Sequence, residues 1–106
     1  MNPYIIAIDF DGTICADGWP YVSKGKLINS TYEKMLKQIE LNPATSFVLW
    51  TCRDGDLLEE AVDWCLDNKL PIYYFNENHP STKEWLVGGN SKIFANEYWD
   101  DRAVKI

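Results

Sequence analysis

Two aspartates stand one residue apart where an apolar run ends: Tyr4-Ile5-Ile6-Ala7-Ile8, then Asp9-Phe10-Asp11-Gly12-Thr13. The run is short and rich in β-branched residues, which reads as a buried strand. Residues i and i+2 of a strand point the same way, so Asp9 and Asp11 converge on one small volume. Two like charges held close are costly unless a cation or a shared proton offsets them. A hard divalent cation such as Mg²⁺, which takes oxygen ligands, is the economical partner.

Two further segments end in polar groups of the same kind. Phe47-Val48-Leu49-Trp50-Thr51 reads as a second buried strand, followed by Cys52-Arg53-Asp54-Gly55. Residues 93–99 read as a fourth strand that closes in Asp100-Asp101. The third strand, 70–75, leads into a loop, 76–80, that holds His79. One Asp or Thr at a strand end is ordinary turn chemistry. Three such ends together are a site, because open α/β sheets bind ligands outside the carboxyl ends of their strands.

The remaining segments must hold those ends in place. Residues 14–26 are polar and carry Asp17-Gly18, Trp19-Pro20 and Lys24-Gly25, which predicts a hairpin or flap. Trp19 in it is either a hairpin anchor or a stacking surface at the site rim. Ser30-Thr31-Tyr32-Glu33 has a capping-box pattern and predicts a helix to about residue 41. Tyr32, Met35, Leu36 and Ile39 form its inner face. Residues 57–68 predict a second helix with Leu58, Ala61, Val62, Cys65 and Leu66 inward, capped by Asp54-Gly55-Asp56. Ser81-Thr82-Lys83-Glu84 predicts a third. Strands alternating with helices imply an α/β fold with a parallel sheet.

Bulk properties narrow the function. A chain of 106 residues with 46% hydrophobic content is one domain with enough apolar mass for a core. The net charge of −6 argues against long nucleic acids, which call for a basic stripe. Cys15, Cys52 and Cys65 show no C-x-x-C spacing, so they read as reduced thiols of a cytoplasmic protein. No apolar stretch nears the roughly 20 residues of a membrane span, and no signal peptide precedes the first strand.

This order of elements resembles the haloacid dehalogenase (HAD) superfamily of aspartate-nucleophile phosphatases. Asp9 to Thr13 match its first motif, D-x-D-G-T, in full. Thr51 matches the second, Lys92 the third, and Asp100-Asp101 the paired-acid form of the fourth. The resemblance implies a Rossmann-like three-layer sandwich with a short, mainly parallel sheet of about four strands. The order is 4-1-2-3, with a small flap after strand 1. It implies a Mg²⁺-dependent phosphomonoester hydrolase in which Asp9 is the nucleophile and Asp11 the general acid–base. Thr51 and Lys92 would hold and balance the phosphoryl group. Gly12, Cys52 and the backbone N–H groups near Phe10 and Cys52 would cradle it. Mg²⁺ would sit on Asp9, the Asp11 carbonyl, Asp100 and Asp101. Arg53 either reaches the phosphate, as in some capless phosphatases, or is a surface arginine paired with Asp54 or Asp56.

Neither gap between motifs has room for a cap domain, so residues 1–106 read as a single, minimal, capless domain. The fifth strand common in the superfamily is missing. The expected substrate is a phosphorylated small molecule, with nucleotide, nucleic-acid-end and sugar phosphates open, and a homo-oligomer would cover the exposed sheet edge. The rival reading is a phosphate- or metal-binding module that regulates or scaffolds a partner.

Overall fold

Ile5 to Ile8 are all buried, which requires cover on both faces of the strand they form. The structure is a computed structural model that describes residues 3–77, 79–80 and 94–100. In chain order its elements are β1 (Tyr4–Ile8), β2 (Cys15–Ala16), a turn of 3₁₀ helix (Val22–Lys24), β3 (Lys26–Leu27), α1 (Asn29–Leu41), β4 (Thr45–Leu49), α2 (Gly55–Asp67), β5 (Ile72–Phe75) and β6 (Glu97–Trp99).

Four strands make one parallel sheet in the order β5-β4-β1-β6. β2 and β3 pair antiparallel in a separate ribbon, the expected flap. The expected labels 4-1-2-3 counted only four strands. With the two flap strands numbered, the observed order is 5-4-1-6, with β1 and β4 central.

One sheet face buries Ile6, Ile8, Phe47, Leu49 and Ile72 against Met35 of α1 and Ala61 and Cys65 of α2. The other buries Ile5, Ala7 and Val48 under Tyr74, Phe94, Ala95 and Tyr98. The fold is thus α/β, with two helices and a mainly parallel sheet.

Several boundaries and faces differ from expectation. Ser30 caps nothing: α1 starts one residue earlier, with Ile28 before it and no side-chain cap bond. Backbone contacts fix that start instead, since Thr31 and Tyr32 donate to the Ile28 carbonyl while Ile28 N–H donates to Ile14. Asp54 precedes α2, again without a side-chain cap bond. Leu36 and Leu66 are exposed, so each helix buries a narrower stripe than its apolar pattern suggests. β4 spans 45–49 rather than 47–51. β5 begins at Ile72 because Pro71 has no N–H for the ladder. β6 begins at Glu97 because Asn96 takes the place of a ladder residue, its side-chain Oδ1 accepting from Ile5 N–H at 2.8 Å.

Candidate active site

β1, β4 and β6 point their carboxyl ends the same way, so Asp9, Trp50 and Asp100 emerge at one edge of the sheet. Trp50 N–H still pairs with Ile8, and Asp9 N–H with Trp99, after which the three chains diverge. A cavity of about 390 Å³ opens there, lined by Asp9, Asp11, Trp19, Trp50, Thr51, Cys52, Arg53 and Asp100. Residues more than 90 positions apart in sequence therefore share one pocket.

The loop after β1 is wound tightly. The Phe10 carbonyl accepts from the N–H groups of Thr13, Ile14 and Cys15. Gly12 takes φ = +83°, a conformation that suits glycine. Its N–H donates to Cys15 at 2.9 Å, and Gly12 does not line the cavity. Phe10 N–H donates to Asp9 Oδ1 at 2.8 Å. These two amides, expected in a phosphate cradle, are thus engaged in shaping the loop. The Thr13 hydroxyl is buried without a hydrogen-bond partner among the described residues.

Arg53 lines the cavity and is not the surface arginine of the second expectation. Its side chain is fully buried, with Nε donating to Asp11 Oδ2 at 2.8 Å and Nη2 to Asp11 Oδ1 at 2.9 Å. Nη2 also donates to the Gly18 carbonyl, and Nη1 to those of Pro20 and Leu57. A guanidinium has five N–H donors, so all of them are used inside the protein. The hydrogen bond with Asp11 pushes the Arg53 pKa above its already high ordinary value, against the opposing effect of burial. Arg53 thereby ties the first loop, the flap and α2 to one point.

Asn76 is a residue whose role its sequence position in a loop concealed. It follows β5 with φ = +52°, a conformation Asn tolerates. Its Oδ1 accepts from Thr51 N–H at 2.8 Å and its Nδ2 donates to the Arg53 carbonyl at 3.2 Å. Thr51 Oγ1 accepts from Arg53 N–H at 3.2 Å. Asn76 and Thr51 together clip the 51–53 loop into shape. The available signal was an Asn placed at the same sheet end as the motifs.

Cys52, expected beside the phosphoryl group, is exposed and lines the cavity, and so does Trp50, which protrudes past the end of β4 rather than being buried in it. His79 stands against Tyr74, ring centroids 4.8 Å apart, and does not line the cavity. Lys92 and Asp101, with Lys83, lie outside the described residues. Among the described residues no group of three or more His, Cys, Asp or Glu side chains is arranged to hold a metal, and no helix is long and apolar enough to cross a membrane.

No family model matches the chain, and no curated protein matches it. Among solved structures, a conserved protein from Bacteroides thetaiotaomicron is 35% identical, with a TM-score of 0.74 over 97% of this chain and 79% of that one. Sequence and fold agree across nearly the whole length, so the chain belongs to the family of that conserved Bacteroides protein.

Proposed function

We propose that the chain is a capless phosphatase of the haloacid dehalogenase type, hydrolysing phosphomonoesters through an aspartyl phosphate on Asp9. The observation that carries this reading is the shared cavity, where Asp9, Asp11, Thr51, Cys52 and Asp100 converge from three strand ends. An Asp9 oxygen attacks phosphorus as the bond to the leaving oxygen breaks, and Asp11 gives that oxygen its proton. Water then attacks the phosphorus of the acyl phosphate, Asp11 takes the water's proton, and Asp9 is released with inorganic phosphate. Arg53 occupies one lone-pair position on each Asp11 oxygen, and each oxygen keeps another for a proton. Thr51 lines the cavity beside the loop that would receive the phosphoryl oxygens. Lys92 as the balancing cation belongs to the same proposal.

The donors fit Mg²⁺. That ion needs only one or two carboxylates and keeps several waters. Asp9 and Asp100 both line the cavity, whereas the Asp11 carboxylate is already matched by Arg53. Asp9, Asp100 and the Asp11 carbonyl would hold the ion, with Asp101 as a further candidate; when bound, it neutralises charge on the phosphoryl group.

The three-layer architecture is part of this proposal. Crossovers between parallel strands are right-handed. The steps β1 to β4 and β4 to β5 run the same way, so their helices share a face. The return from β5 to β6 runs the opposite way, and Phe94 and Ala95, just before β6, pack over Ile5, Ala7 and Val48, which supports a second covering layer.

The test is hydrolysis of a broad phosphomonoester panel with Mg²⁺, with Asp9→Asn as control. Turnover by the wild type alone supports the reading. No activity above the control on any member overturns it and favours a binding module.

A further inference from the structure

Trp19 is the most exposed tryptophan among the described residues, 62% accessible, yet its backbone is not loose. Arg53 donates to the carbonyls on both sides of it, Gly18 at 3.0 Å and Pro20 at 3.1 Å. The same guanidinium lies 5.1 Å from the indole centroid, a cation–π contact. Gly18 cannot shift to larger residues, since an added Cβ would stand 2.6 Å from Cys15 Sγ. One buried side chain thus fixes both Asp11 and the exposed indole that lines the same cavity.

Trp50 lines that cavity from the loop after β4, 39% exposed. Tyr98 braces it edge-on, centroids 5.6 Å apart. Two indoles held from behind, with ring surface left in water beside carboxylates, form a site for a flat apolar group joined to an anion. Stacking on a held aromatic ring is favourable for any base, because every base has a π-face.

We infer that Trp19 and Trp50 receive the leaving group, and that the substrate class is a phosphomonoester whose alcohol carries a planar ring, of the nucleoside monophosphate type. The inference rests on the phosphatase reading above. The reaction is unchanged: the P–O bond breaks and the nucleoside departs with the proton from Asp11.

The experiment compares adenosine 5′-monophosphate with ribose 5-phosphate, which has the same phosphate and sugar without the base. Wild-type kcat/KM should favour the nucleotide at least about 10-fold, mainly through KM. Trp19→Ala and Trp50→Ala should each bring that ratio toward one, and Trp19→Phe should retain most of it. Quenching of tryptophan fluorescence by adenosine 5′-monophosphate in Asp9→Asn gives a readout independent of turnover and should weaken in Asp9→Asn/Trp19→Phe. If wild type hydrolyses both esters equally, the aromatic site is overturned and the phosphatase reading stands. If the nucleotide quenches fluorescence but neither ester nor any other member of the phosphomonoester panel is hydrolysed, the stacking site is supported and the catalytic reading falls. If neither hydrolysis nor quenching occurs, the stacking site is overturned.

Discussion

Arg53 is the residue on which the site geometry converges. Its five donors reach Asp11, Gly18, Pro20 and Leu57, and its charge lies between the rings of Phe10 and Trp19. A lysine is a point charge that cannot reproduce this fork. Arg53→Ala should lower stability by about 3 kcal/mol by stranding Asp11 and three carbonyls, measured by urea denaturation. Arg53→Lys should recover only part of that stability, and should cut kcat by about 10-fold or more because Asp11 is no longer oriented. Asn76 acts more modestly. Asn76→Ala removes two hydrogen bonds and should cost about 1–2 kcal/mol, with kcat falling as the 51–53 loop loosens. These two residues show how far the sequence could be read. The convergence of Asp9, Asp11, Thr51 and Asp100 on one cavity was legible because each closely follows an apolar strand of the same parallel sheet. Arg53 was ambiguous because, Leu57 aside, its partners come from the first loop and the flap, 33 to 42 positions away. No local pattern encodes such contacts.

At the scale of elements, the flap is held by close packing rather than by a long ribbon. β2 and β3 have two residues each. Added Cβ atoms at Gly18 and Gly25 would stand 2.6 and 2.3 Å from Cys15 Sγ. Gly18→Ala should therefore destabilise by about 1–3 kcal/mol, read in the same denaturation assay, and should weaken nucleotide binding because Trp19 rides on the displaced segment. Strand and helix types were readable from period and β-branching, whereas their ends were not. Pro71 shortens β5 by withholding a donor, and Asn96 delays β6 by substituting its side chain for the ladder. Leu36 and Leu66 read as core from helical spacing, but α1 and α2 share one sheet face, which buries only a narrow stripe of each.

For the molecule as a whole, the core makes stability fall in alkali. Burial pushes the Cys65 thiol from its ordinary value of 9.0 up to about 12. Burial also raises Cys15, and a hydrogen bond to Glu97 raises Tyr4. A raised folded-state pKa means the unfolded chain loses the proton first. The stability linked to Cys65 is thus complete below about pH 9 and is lost as pH rises toward 12. The melting temperature should drop across that window, and Cys65→Ala should flatten the drop while lowering the plateau through a small cavity. The parallel sheet also sets where chemistry can occur. β1 carries the aspartates at the point where the chain order reverses between β6 and β4, the place where open sheets take ligands.

The most direct test is mass spectrometry of enzyme quenched in acid during turnover with Mg²⁺ and a hydrolysed phosphomonoester. Phosphoryl transfer through Asp9 predicts a single added phosphoryl group on the peptide containing Asp9, absent from Asp9→Asn, whose turnover falls by at least about 1,000-fold. A phosphoryl group on another residue, or turnover that survives Asp9→Asn, would contradict it.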